Sequence, residues 1–242
     1  MSPQGRTLRR HSNRRPDFHD CALIRVPHLL AASPRPAHTV HEHVAAQAVL
    51  RRMRDHDFSN PKYWEAEYAN AVSEMSTMDW YGLGADKMWS LLQPLLPAAT
   101  AADVLEVGCG SRPLLPGLHA IANSRFDRLL ATDLSPTIIA RLVEAQGRSG
   151  VSSVEFGVAD CRRTGQIDES FDVVLDKATC DALMSGTDHH ESVSALAREA
   201  ARLLRPNGHL VVVTHFQVDY PDAPPECNAS PLLDALLAGF HA

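Results

Sequence analysis

DVLEVGCGSR, residues 103–112, decides how this chain folds. VLEVG reads as a short buried strand. It carries an acid, Glu106, near its end and turns on Gly108 and Gly110. Turns of this kind bring backbone close to a bound nucleotide. A dinucleotide turn has the form G-x-G-x-x-G, and its third glycine lets helix and strand pack closely. Pro113 holds that third position here. The following helix therefore starts differently, and a pyrophosphate fits poorly. Glu106, two residues before Gly108, would repel a phosphate at close range and suits a cationic ligand.

Downstream, strand and helix alternate. RPLLPGLHAIA forms a helix from near Pro113, irregular around Pro116. RLLATD is a strand, and SPTIIARLVEAQGR a helix with Ser135 as cap and Pro136 at its first position. SVEFGVAD and FDVVLD are strands. ESVSALAREAARLLRPNG is a long helix in which Val193, Leu196, Ala197, Ala200, Leu203 and Leu204 face one way. Gly208 closes its turn, and HLVVVTHF is the next strand. Strands separated by helices predict a doubly wound α/β, mostly parallel sheet with helices on both faces. Upstream, a helix starts near Pro61, with Trp64 and Tyr68 four apart on one face. Another follows with Met88, Leu91, Leu92, Leu95 and Leu96 in helical spacing, ended or bent by Pro94.

Two further acids close successive strands. Asp133 lies 23 residues after Gly110, where a carboxylate can accept both hydroxyl hydrogens of a ribose. Leu134 follows it. Asp160 ends the next strand and can accept from an adenine amino group, with the backbone N–H of Cys161 facing a ring nitrogen. S-adenosylmethionine has a sulfonium, an amino group, a ribose and an adenine, and no phosphate. It matches Glu106, Gly108, Gly110, Asp133 and Asp160 together.

On these residues the chain resembles the class I S-adenosylmethionine-dependent methyltransferases, over roughly residues 100–215. DVLEVGCG, ATDLS, VAD and LLRPNGHLVVVT are similar to their successive motifs. FDVVLDKATCDALM resembles the DKGTLDAL signature of a methyltransferase-like subgroup that includes lysine methyltransferases acting on a translation elongation factor. PKYWEAEY and MDWYG resemble that subgroup's aromatic leading segment. The resemblance implies that Trp64, Tyr68 and Trp80 cover the methionine end of the cofactor. It also implies two strands after the fifth, forming an antiparallel hairpin. VDYPDAPPECNASPLLDALLAGFHA contains one apolar run that reads as a helix and no such pair of strands. The fifth strand is then expected to be an open sheet edge, covered by the terminal helix or a partner.

Asp176 and Lys177 follow the fourth strand, at the carboxyl edge where ligands bind in such sheets. Asp176 is the candidate catalytic residue: it would orient the incoming nucleophile and help remove its proton. Lys177 would pair with it or line the methionine end. The alternative is that both form a surface pair or cap the next turn. Trp64 and Tyr68 are equally readable as core aromatics. Cys109, Cys161 and Cys180 read as small buried fillers.

The chain has 242 residues, 45% hydrophobic and 21% charged, an ordinary globular composition. Residues 1–58 carry ten Arg against five acids; the remaining residues carry 13 basic and 24 acidic. That acidic body disfavours nucleic acid and suits a basic substrate. Residues 1–57 read as a disordered basic extension, 58–242 as the methyltransferase domain, and 216–242 as an atypical tail. The five scattered cysteines form no C-x-x-C, which implies reduced thiols, no zinc site and a cytoplasmic protein. An Arg- and Ser-rich start such as MSPQGRTLRRHSNRR is the organellar alternative, a transit segment. His38, His41 and His43 read as solvated rather than metal-bound. No apolar run reaches the roughly 18 residues a membrane span needs. The leading function is methyl transfer to a protein lysine, on a substrate such as an elongation factor. The alternatives are a small-molecule methyltransferase, a catalytically inactive binding module of the same fold, and a nicotinamide-dependent oxidoreductase. Pro113 and Glu106 argue against the last.

Overall fold

The structure is a computed structural model that describes residues 22–26, 56–70, 81–149, 153–214 and 231–240. Its elements in chain order are β1 (Ala22–Val26), α1 (Pro61–Ala69), α2 (Ala85–Leu92), β2 (Ala102–Val107), α3 (Leu115–Ala122), β3 (Phe126–Asp133) and α4 (Pro136–Ser149). There follow β4 (Glu155–Val158), β5 (Phe171–Lys177), α5 (Thr179–Met184), α6 (His189–Leu203), β6 (Leu204–Thr214) and α7 (Pro231–Phe240). The sheet order is β1-β6-β5-β2-β3-β4. From β2 to β6 all pairing is parallel. The chain leaves β2 towards β3 and β4, then crosses back to β5 and β6. That reversal opens a crevice at the carboxyl ends of the central strands, where open α/β sheets bind ligands.

Both faces of the sheet are covered, so its strands are apolar on both sides. Val174, Leu210 and Val212 pack against α6 residues Val193, Leu196, Ala197 and Leu203. Val173, Leu175, Val211 and Val213 pack on the other face with Met88, Leu92, Leu115 and Leu118. The helical spacing of α6 is realised: its predicted apolar stripe is buried from Val193 to Leu203. Leu204 already belongs to β6, earlier than the turn expected at Gly208. A shift in the β5–β6 register accommodates the extra residues, with Asn207 at φ +68°. Pro94 ends α2, whose last turn tightens over Gln93–Leu95.

The expected open edge is corrected. β1 pairs antiparallel with β6, from Ala22 opposite Thr214 to Val26 opposite Leu210. Ala22–Val26 lie within the segment read as a disordered extension. They give the edge N–H and C=O groups of β6 partners from the same chain, and β1 becomes the outer strand on that side. The terminal apolar run does form a helix, α7, but it packs on α6 rather than over the edge. Ser194 donates to the carbonyl of Ala235 at 2.8 Å. A Cβ on Gly239 would lie 2.4 Å from the carbonyl oxygen of Ser194, so only glycine permits this approach.

Candidate active site

A cleft runs over the carboxyl ends of β2, β3, β4 and β5. Its floor is the glycine turn. Gly108 and Gly110 hold φ of +59° and +57°, in the left-handed region that side chains avoid. Asp133, at the end of β3, organises the turn from beside it. One carboxylate oxygen accepts from the N–H of Gly110 at 2.9 Å, and the other from the N–H of Ser135 at 2.9 Å. Ser135 caps α4 separately, its hydroxyl accepting from the N–H of Ile138 at 3.3 Å. Burial raises the Asp133 carboxyl above its ordinary value, against the N–H groups of Ser135 and Gly110. Its side chain still borders the cleft.

Glu106 has a different place from the one expected. It is 1% exposed and does not line the cleft. Its oxygens accept from the N–H of Leu114 at 3.0 and 2.9 Å and of Leu115 at 3.2 Å. It thus supplies the partners that the first turn of α3 lacks, with proline after the glycines. Burial pushes its carboxyl up to about 7, opposed by these N–H groups and by the nearby charge of Lys177. Glu106 positions the turn from below.

Asp160, Cys161 and Leu134 all border the cleft. Arg162 folds back onto Asp160, with Nη2 at 2.7 Å from a carboxylate oxygen. Burial pushes the Asp160 carboxyl up, but the Arg162 hydrogen bonds outweigh it and leave it below its ordinary value. Leu134 is 38% exposed, an apolar lip beside Asp133. Cys161 is a thiol raised by burial, unsuited to nucleophilic work.

The aromatic wall comes from α1. Trp64 and Tyr68 stack with ring centroids 5.7 Å apart, and both line the cleft. They also pack on the sheet core. The Tyr68 hydroxyl would lie 3.1 Å from a Cβ on Gly110, so ring and turn are fitted to each other. Glu65 on the same helix accepts from the hydroxyls of Ser135 and Thr137, fastening α1 to the start of α4. The sequence reading missed that clamp; no spacing rule links residues so far apart. Trp80 lies outside the described residues, as do His38, His41 and His43.

Asp176 is fully buried, does not line the cleft, and has both oxygens engaged. They accept from the N–H of Thr179 at 2.7 Å and of Cys180 at 2.9 Å. The carboxylate therefore caps the start of α5, the structural alternative weighed above, and burial pushes it up to about 6. Lys177 does line the cleft. So does Asp181, further along the same DKATCDALM stretch, which sequence reading passed over. Tyr81 and Thr214 donate their hydroxyls to Asp181. The signal was present in sequence: a second acid in the motif, and a tyrosine in MDWYG beside the tryptophan chosen instead.

Among the described residues no cluster of His, Cys, Asp or Glu could hold a metal ion. None of their helices is long and apolar enough to cross a membrane. The residues present fit S-adenosylmethionine: a cleft-lining turn whose two glycines stand at positive φ, and carboxylates at the ends of β3 and β4 that could accept from ribose and adenine. Sheet order, turn and acid series define a Rossmann-like methyltransferase that uses this nucleoside. The family described as a methyltransferase domain matches residues 105–212. The mitochondrial citrate synthase-lysine N-methyltransferase CSKMT of Pongo abelii is 32% identical over 180 residues, covering 68% of this chain and 72% of that one. EEF1A lysine methyltransferase 4 of Mus musculus is 27% identical, covering 68% and 66%. The eEF1A lysine and N-terminal methyltransferase of Xenopus laevis is 29% identical, covering 66% of this chain and 22% of that protein. The chain belongs to the class I S-adenosylmethionine-dependent methyltransferases, in the group that holds these relatives.

Proposed function

We propose that the chain transfers a methyl group from S-adenosylmethionine to a lysine side chain of a protein. The observation that carries this is the lining of the cleft. It includes Phe58 and Leu183 together with the acid Asp181, residue types suited to an aliphatic stem bearing a cation. The acidic body agrees with a basic acceptor. Relatives named for citrate synthase and for eEF1A lysines support the same reading. Citrate synthase and an elongation factor are accordingly the first acceptors to try. The mitochondrial name of one relative supports the organellar alternative to the cytoplasm.

The bound cofactor supplies an electrophilic methyl on a good leaving group, sulfur taking the electron pair of the broken C–S bond. The protein then has mainly to align the acceptor and keep its nitrogen deprotonated. Asp133 and Asp160 hold the nucleoside end, Trp64 and Tyr68 wall the site, and residues from Lys177 onward face the acceptor. The test is incubation with methyl-labelled S-adenosylmethionine and cell extract, alongside purified citrate synthase and elongation factor. The expected result is a labelled protein band whose label maps to lysine. Label confined to small molecules would favour small-molecule transfer, and no transfer at all a binding module.

A further inference from the structure

We propose that Asp181, held by Tyr81 and Thr214, is the carboxylate that receives the acceptor ammonium, in place of Asp176. This deepens the lysine reading above and rests on it. Asp176 precedes α5 and Asp181 lies within it. Asp176 aims both oxygens into the backbone of α5, at 2.7 and 2.9 Å, and is 0% exposed. It is not among the residues that line the cleft. Asp181 sits within α5 itself and borders the cleft while only 4% exposed.

Three separate parts of the chain converge on Asp181. Tyr81 comes from the aromatic segment before α2, Thr214 from the carboxyl end of β6, and Asp181 from α5. Thr214 is 0% exposed, so it is a fixed anchor. Both donors are hydroxyls. They orient the carboxylate from two sides of the chain, and neither hydroxyl itself carries a charge. A negative charge kept at the wall of a largely apolar cleft attracts an ammonium more strongly than the same charge in water would. Phe58, Leu183 and the carboxylate would then take the stem and the head of a lysine.

The proton follows from this placement. A lysine ammonium has an unperturbed pKa near ~10.4 and cannot attack while protonated. Asp181 orients the N–H groups, and one proton passes through a carboxylate oxygen to water, leaving the nitrogen lone pair aimed down the cleft. Nitrogen loses one proton and water gains it, with no redox partner required. Asp181 would touch the substrate and so be a catalytic residue; Tyr81 and Thr214 act through it and are positioning residues.

The test uses the full chain saturated with S-adenosylhomocysteine, which lacks the sulfonium charge. Binding of n-butylammonium, a lysine head without its peptide, is titrated by NMR, with n-butanol as the uncharged control. The wild type should prefer the cation at least tenfold. Asp181→Asn should weaken n-butylammonium at least tenfold while leaving n-butanol and S-adenosylhomocysteine within a few-fold. Tyr81→Phe, which keeps the ring, should weaken the cation two- to fivefold. Equal affinity for n-butylammonium in wild type and Asp181→Asn overturns the proposal. Should Asp181→Asn fail to hold S-adenosylhomocysteine, Tyr81→Phe decides, and an unchanged affinity there overturns it. The labelling experiment bears on the acceptor alone: cation selectivity lost in Asp181→Asn without any labelled lysine would sink the protein-lysine reading and leave the ammonium site standing.

Discussion

Gly108→Ala is expected to destabilise the folded chain by about 3 kcal/mol and to remove measurable cofactor binding. Two costs add. Gly108 sits at φ +59°, where a Cβ costs roughly 1–2 kcal/mol. The new Cβ would also lie 2.0 Å from Thr179 Oγ1 and 2.9 Å from its Cγ2. Thr179 cannot simply rotate away, because its hydroxyl donates to the carbonyl of Val107 at 3.0 Å and so ties α5 to the end of β2. Breaking that bond costs about 1 kcal/mol more. For a chain of this size the melting temperature should fall by roughly 6–12 °C. Adding Thr179→Ala to Gly108→Ala should recover part of the loss, since the clash is relieved and the backbone strain remains. Thermal unfolding followed by circular dichroism is the readout. A single Gly108→Ala variant that melts like the wild type would show that the turn is not packed as described.

Asp133→Ala should weaken S-adenosylhomocysteine binding more than tenfold. The carboxylate does two jobs that alanine cannot. It accepts from the N–H of Gly110 at 2.9 Å, holding the second glycine of the turn, and it borders the cleft where ribose hydroxyls would donate. Losing a charged acceptor costs about 1.5–3 kcal/mol, which is a factor of roughly 10–150 in Kd. Loss of the α4 cap does not explain such an effect, because Ser135 performs that job. Asp133→Asn, which retains one acceptor oxygen, should fall between the two. Calorimetry on folded variants checks this, and an unchanged Kd in Asp133→Ala would confine Asp133 to shaping the turn.

Much of this fold could be read along the chain because its signals are local. The α6 stripe recurs at helical spacing, and the strands β2, β3 and β5 are short apolar runs bounded by acids or glycines. The end of β3 at Asp133 and the cap at Ser135 follow from adjacent residues. β1 could not be read in this way. ALIRV lies in an Arg- and Pro-rich stretch, and its strand character comes from pairing with Leu210–Thr214, far along the chain. Such a long-range pairing leaves no mark in nearby residues.

The acids divide similarly. Sequence spacing put Glu106, Asp133, Asp160 and Asp176 near the carboxyl edge, and all four are there. It could not say which way each carboxylate turns. Glu106 and Asp176 serve the unpaired N–H groups at the starts of α3 and α5, whereas Asp133 and Asp160 border the cleft. Helix starts leave N–H groups without internal partners, and a buried acid beside one is captured by it. Asp176 followed three residues later by the first residue of a helix is the local form of that capture. Asp181 escaped notice for the converse reason. Its partners, Tyr81 and Thr214, come from distant parts of the chain, so its setting exists only in the fold.

The central claim is that a glycine turn with acids at the ends of β3 and β4 holds a phosphate-free, cationic nucleoside. Titration calorimetry of the full chain with S-adenosylmethionine, S-adenosylhomocysteine and NAD measures it directly. Saturable binding of both sulfur nucleosides, with none of NAD, is the predicted result. Clear binding of NAD without binding of S-adenosylmethionine would contradict the account.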